Sequence, residues 1–261
     1  MNLAPLDAML AERGVIVLDG AMGTELDRRG VDLHDPLWSA KALLEFPDLI
    51  RDVHAAYFSA GADVAISASY QASFEALAVR GLDAGEAAAV FRRSVELARE
   101  AASGAEGPRL VAASVGPYGA YLGNGAEYTG DYDRGDSELA EFHAPRLDAL
   151  AEAAPDLFAV ETIPSIVEAA SLVRVLERVP EVPAWISFSC RDGSHLCDGT
   201  PFERAVEAAT SSASVVAVGV NCTSPLHVAS LVAIAHARTD RPVVCYPNRG
   251  AFWDPMRKTW V

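Results

Sequence analysis

The stretch LFAVETIPSIVEAASLVRVLERVPEVPAWISFSC (residues 157–190) decides the fold. Residues 157–162 are an apolar run that closes on Glu161 and Thr162, which reads as a strand buried on both faces. Residues 165–179 then carry apolar side chains at helical spacing. Ser165 opens them, with Glu168 three positions on, the pattern of a capping box. Residues 183–190 form a second apolar run ending at Cys190. Strand, helix and strand in succession make a βαβ unit with parallel strands.

The same alternation extends in both directions. Seven strand ends read VLDGAMGT (17–24), ISASYQAS (66–73), AASVGPYG (112–119), FAVETIPS (158–165), ISFSCRDG (186–193), VGVNCTSP (218–225) and VCYPNRG (244–250). A doubly wound open sheet would gather its chemistry at one switch point. Here polar or glycine-rich ends recur at nearly every strand, as they do on the active face of a parallel barrel. The predicted fold is α/β, a (β/α)8 TIM barrel. No linker or low-complexity tract divides the chain, so residues 1–261 are expected to form a single barrel domain. Seven strands are one short of closure, so the barrel is expected to lack its eighth βα unit and to be incomplete at the C-terminal side.

Composition narrows the function classes. Half of the 261 residues are hydrophobic, enough for a large core, and the net charge is -15. That charge opposes non-specific binding to nucleic acid or to an anionic membrane. No apolar run approaches the ~18–20 residues of a membrane span. The N-terminus, MNLAPLDAMLAERG, carries acids and lacks a basic start with a cleavage site, so no signal peptide is expected. Four cysteines in a chain of this size do not make a disulfide scaffold, and a reducing cytoplasm is expected.

Asp19 and Glu161 each end an apolar strand, where a carboxylate is costly to bury alone. Each either holds an ammonium group or acts in acid–base chemistry, or else caps a helix or pairs with an arginine. Gly20 and Gly23 allow a tight turn or a close ligand approach, since no dinucleotide fingerprint is present. Cys190, Cys222 and Cys245 end three successive strands. They are either zinc ligands or small buried hydrophobes. His143, His227 and His236 read as surface or helix-packing residues. The longest irregular stretch, 117–136, is rich in Gly, Tyr and Asp, and a loop of that length is usually functional or mobile. Aromatics near the strand ends are Trp38, Tyr70, Tyr118, Tyr121, Tyr128 and Tyr246.

Taken together, LDGAMGTEL (18–26), SASYQASF (67–74), SVGPYGAYLGNGAEYTGDY (114–132), the ET of 161–162, ISFSCRDG with LCDGTP (196–201), GVNCTSP (219–225) and YPNRG (246–250) resemble the homocysteine S-methyltransferase family. The long 114–132 segment resembles the branch that uses S-methylmethionine. The resemblance implies a zinc-dependent enzyme that moves a methyl group from a sulfonium donor to L-homocysteine, giving methionine. S-methylmethionine is the expected donor and S-adenosylmethionine the second. The resemblance also implies residue roles. Asp19 and Glu161 would hold the substrate amino group, with Thr162 and the backbone at Gly20 and Ala21 orienting its amino-acid end. Cys222 would be the catalytic and zinc-binding cysteine, and Asn221 would shape that strand end. Trp38 and Tyr70 would lie near the transfer site. The family's other two zinc cysteines form an adjacent G-G-C-C pair, which this sequence does not contain. Three expectations follow: a truncated form of a normal enzyme, an inactive barrel that still binds a small amino acid, or substitution by Cys190 or Cys245 as a ligand. The oligomeric state is left open.

Overall fold

The computed structural model describes residues 3–31, 39–249, 253–254 and 259–260. In chain order it holds α1 (Ala4–Arg13), α2 (Met22–Arg28), α3 (Ser39–Glu45), α4 (Pro47–Ser59), β1 (Val64–Ile66), α5 (Phe74–Val79), α6 (Ala84–Ser103) and β2 (Leu110–Val115). Then come α7 (Tyr118–Leu122), a 3-10 turn (Ala126–Tyr128), α8 (Asp136–Ala151), β3 (Leu157–Ile163), α9 (Ile166–Leu176) and β4 (Ala184–Phe188). The chain continues with α10 (Phe202–Thr210), β5 (Val215–Asn221), α11 (Pro225–Arg238) and β6 (Val243–Tyr246). A two-stranded antiparallel ribbon, β7 (Trp253–Asp254) with β8 (Thr259–Trp260), was not foreseen from the sequence.

Six strands pair in chain order, β1-β2-β3-β4-β5-β6. The pairs β1·β2, β4·β5 and β5·β6 are parallel. An order without reversal has no switch point, which removes the doubly wound alternative. Every residue of β2, β3 and β4 is buried, the burial pattern of parallel strands covered on both faces. The run at 15–18 differs from its prediction as a strand. It is reduced to one parallel bridge, Leu18 to Val64, flanked by hydrogen bonds from Asp63 N to Val17 O and from Asp19 N to Val64 O. The reason is exposure: Val15 and Val17 are 61% and 50% exposed, so this segment only touches a sheet edge.

The chain divides into two compact units, and β3 contributes to both. The first comprises Met1–Val115, Asp148–Phe158 and Glu181–Pro183. Its core includes Leu26, Val31, Ile50, Val53 and Leu97, packed from α2 and the turn after it, α4 and α6. Asp83 and Glu86 close a full capping box on α6. Asp63, at the head of β1, is buried and accepts hydrogen bonds from Arg13 and from Val17 N. The second unit comprises Gly116–Leu147, Ala159–Pro180 and Ala184–Val261. It carries most of β3, all of β4 to β6, and the helices that follow them.

Candidate functional site

In the second unit the ends of β3 and β5 are joined by a paired side-chain contact. Asn221 Oδ1 accepts from Thr162 N at 2.7 Å, and Asn221 Nδ2 donates to Thr162 Oγ1 at 2.7 Å. The same amide accepts from Ser187 Oγ at 2.9 Å and donates to Cys222 Sγ at 3.4 Å. Both amide atoms of Asn221 are therefore fully used, which fixes its orientation. Thr162 and Cys222 have φ of 64° and 47°. A β-branched residue in that region is strained, and such strain persists only where neighbours over-determine it. Here the Asn221 amide supplies that constraint.

Cys222 thus follows the last residue of β5 in a turned-out conformation. Its thiol also meets the hydroxyls of Thr162 and Tyr128. Burial pushes the thiol up to about 12, with the carboxylates of Glu161 and Glu127 adding to the rise. At neutral pH a thiol so raised is protonated. Glu161 is 8% exposed and accepts from the Tyr246 hydroxyl at 3.0 Å. Tyr246 in turn accepts from Trp185 Nε1 at 3.2 Å. Glu161, Thr162, Asn221 and Cys222 thus stand together. The reading from sequence missed Ser187 and gave Tyr246 no role. Tyr246 did lie in the matched YPNRG segment, but it meets Glu161 across 85 residues of chain, a pairing no local pattern reveals.

The first unit holds Asp19. Its Oδ2 accepts from Ile66 N at 3.0 Å and lies 3.6 Å from Nδ1 of the fully buried His54. Burial raises the Asp19 carboxyl above the usual carboxylate range, and the His54 contact counters this. Gly20 serves packing: a Cβ there would lie 2.7 Å from the Tyr57 ring. The Tyr57 hydroxyl donates to Ala21 O at 3.4 Å. Tyr70 is half-buried in the turn after β1. Trp38 lies outside the described residues.

Of the two readings of the strand-end thiols, the ligand cluster is not seen among the described residues. Among the described residues no group of three or more His, Cys, Asp or Glu side chains is placed to hold a metal ion. Cys190, just beyond the end of β4, is buried, and burial raises its thiol. Cys245 faces outward and is exposed. Cys245 lies within β6 and Cys190 beyond the end of β4, so the two thiols do not occupy equivalent positions.

The 116–135 segment is anchored by a buried carboxylate. Glu168, fully buried in the first turn of α9, accepts from Tyr118 N at 2.6 Å, from His143 Nε2 at 2.8 Å and from the Tyr132 hydroxyl. Arg146 Nη1 donates to His143 Nδ1 at 3.1 Å and to Gly116 O at 2.8 Å. His143 therefore accepts on Nδ1 and carries its proton on Nε2, and burial lowers its pKa. The capping box read at 165–168 is half present. Ser165 Oγ accepts from Glu168 N at 3.3 Å, while the glutamate side chain goes to the network instead.

Among the described residues no helix is long and apolar enough to cross a membrane. A sequence profile described as homocysteine S-methyltransferase matches residues 16–261. The chain is 48% identical to homocysteine S-methyltransferase YbgG of Bacillus subtilis, over 98% of this chain and 84% of that protein. It is 47% identical to the homocysteine S-methyltransferase of Escherichia coli, with the same coverage. The structure matches the crystal structure of the metallated form of the homocysteine methyltransferase MmuM from Escherichia coli with a TM-score of 0.90. That match has 45% identity and covers 97% of this chain and 90% of the other. The matched region includes the Thr162–Asn221–Cys222 cluster, and the chain belongs to the homocysteine S-methyltransferase family.

Proposed function

We propose that the protein transfers a methyl group from a sulfonium compound to the thiol of homocysteine, forming methionine, with S-methylmethionine the favoured donor and S-adenosylmethionine the second. The observation that carries this reading is the Glu161–Thr162–Asn221–Cys222 arrangement at the ends of β3 and β5, taken with the family membership. Glu161 offers a buried carboxylate to the substrate ammonium, and Tyr246 holds that carboxylate in place. Thr162 and Asn221 hold the strand ends so that substrate and thiol meet in a fixed geometry, which is where rate is gained when the leaving group is a neutral thioether. Asp19, Gly20, Ala21, Trp38 and Tyr70 keep the substrate-side roles the resemblance implies. The (β/α)8 barrel is the proposed fold, supported by six strands in unbroken chain order and the Leu18 bridge beside β1.

Zinc enters the proposal through Cys222 alone. A tetrahedral centre needs further protein donors, and the described residues do not bring three ligand-type side chains together. The residues described do not fit a complete zinc site. The test is methionine formation from S-methylmethionine and homocysteine by the protein, compared with Cys222→Ala and Glu161→Gln. Removing a group that touches the reacting centre is expected to lower the rate at least about 100-fold. Full turnover in Cys222→Ala would sink the reading. Homocysteine binding without turnover in the wild type would make the chain an amino-acid-binding protein.

A further inference from the structure

One half-buried acid of the second unit has no part in the chemistry above. Glu127 lies in the 3-10 turn Ala126–Tyr128, entered through Gly125 at φ 87°. Its backbone is clamped from two sides. Ser189 Oγ donates to Glu127 O at 2.9 Å, and Gly119 packs so closely that a Cβ there would lie 2.4 Å from Glu127 N. The next residue, Tyr128, reaches the Cys222 thiol with its hydroxyl. Glu127 is close enough to that thiol, and to Cys197, for its charge to raise both. The carboxylate is thus placed beside the proposed transfer site by a rigid turn.

Its own state is unusual. Oε2 is sealed from solvent and has no hydrogen-bond partner. Among the described residues no lysine, arginine or histidine pairs with it. A carboxylate oxygen sealed from solvent without a partner is costly, and here the cost appears as an acid raised to about 7 by burial, countered only by a hydrogen bond from its own backbone N–H. A cationic group arriving with a ligand would complete the arrangement. Glu161 already has the Tyr246 hydroxyl and the acceptor's amino group in the proposal above. The remaining cations in that reaction are on the donor: its sulfonium and its ammonium. An anion against the sulfonium would favour the ground state, because that charge disappears as the methyl leaves. An anion against the distant ammonium binds ground and transition states alike and does not oppose the chemistry.

We propose that the Glu127 carboxylate binds the ammonium group of the methyl donor, so that the site selects sulfonium donors with an amino-acid end. This rests on the methyl-transfer reading. The experiment compares wild type with Glu127→Gln in two readouts: calorimetric titration with S-methylmethionine, and steady-state transfer from S-methylmethionine or trimethylsulfonium, which lacks an amino group. Loss of a charge-assisted contact is expected to weaken S-methylmethionine binding and raise its KM about 10- to 100-fold, with kcat within about threefold. The KM values of homocysteine and of trimethylsulfonium are expected to stay within about twofold. Glu127→Asp keeps the charge and is expected to lose less affinity, which guards against a folding defect in the amide variant. Unchanged S-methylmethionine affinity, an equal loss for trimethylsulfonium, a shifted homocysteine KM, or a wild type that does not bind S-methylmethionine would each overturn the assignment. A wild type that binds S-methylmethionine without turnover, and loses that binding in Glu127→Gln, would defeat the methyl-transfer reading and leave the assignment standing.

Discussion

Two glutamates, one buried and one half-buried, serve the same segment of the second unit under opposite conditions. Glu168 is met by a backbone N–H, a histidine N–H and a tyrosine hydroxyl. Glu127 has one oxygen sealed from solvent with no partner at all. The first is a structural anchor: it ties α9 and α8 to the start and the end of the tyrosine-rich loop. The second stands on the turn which that anchor holds in place, beside Cys222. The difference teaches how a fold keeps one acid for itself and leaves another for a ligand. Satisfied polar networks rigidify, and the unsatisfied group is affordable because its surroundings are rigid.

The largest effect should come from breaking the anchor. Glu168→Ala strands three donors in a sealed interior and is expected to cost about 3–5 kcal/mol. Thermal unfolding should then fall by roughly 10 °C. A drop under roughly 3 °C would mean the network is solvated and carries little.

Glu127 should respond with the opposite sign. Its folded pKa of about 7 lies above its ordinary value of 4.5, so the folded state keeps a proton the unfolded chain has lost. Stability from this group is present below about pH 4.5 and declines as pH rises through 7. Glu127→Gln should therefore be more stable than wild type at pH 8, by about 1–3 kcal/mol, with a smaller gain at pH 5. Melting curves at the two pH values decide this. A variant less stable than wild type at pH 8 would show that the carboxylate is already satisfied in the folded protein.

The smallest effect concerns the perch of the anchor. Ser165→Ala removes the N-cap of α9, whose Oγ accepts from Glu168 N, and should cost about 1 kcal/mol in chemical denaturation. A cost equal to that of Glu168→Ala would mean that the cap, not the carboxylate, holds the network.

Much of the candidate site was legible because strand ends carry their residues with them. Glu161–Thr162 and Asn221–Cys222 were each visible as polar closures of apolar runs, and the fold needed only to bring β3 and β5 to the same face. The bond between them was not legible, since Thr162 and Asn221 are 59 residues apart. Glu168 was legible as a helix-start residue and was assigned the wrong partner. Its side chain left the Ser165 cap because a buried histidine, a tyrosine and a backbone N–H offered three donors where the cap offered one. The apolar run at 15–18 looked like the later strands, yet Val15 and Val17 are largely exposed. Hydrophobic content alone does not say whether a run will be covered on both sides.

The sequence by itself determined the alternation of strands and helices, the parallel sense and the family. These follow from periodicity, from composition and from motifs short enough to read along the chain. Only the tertiary structure decided which acids are satisfied and which are not. It also decided that Thr162 and Cys222 take left-handed backbone, and that the thiols of Cys190, Cys222 and Cys245 do not cluster among the described residues. The physical reason is that burial and hydrogen-bond partnership belong to pairs of distant residues. Their free energy depends on what the fold places within a few ångströms, not on what stands next in the chain.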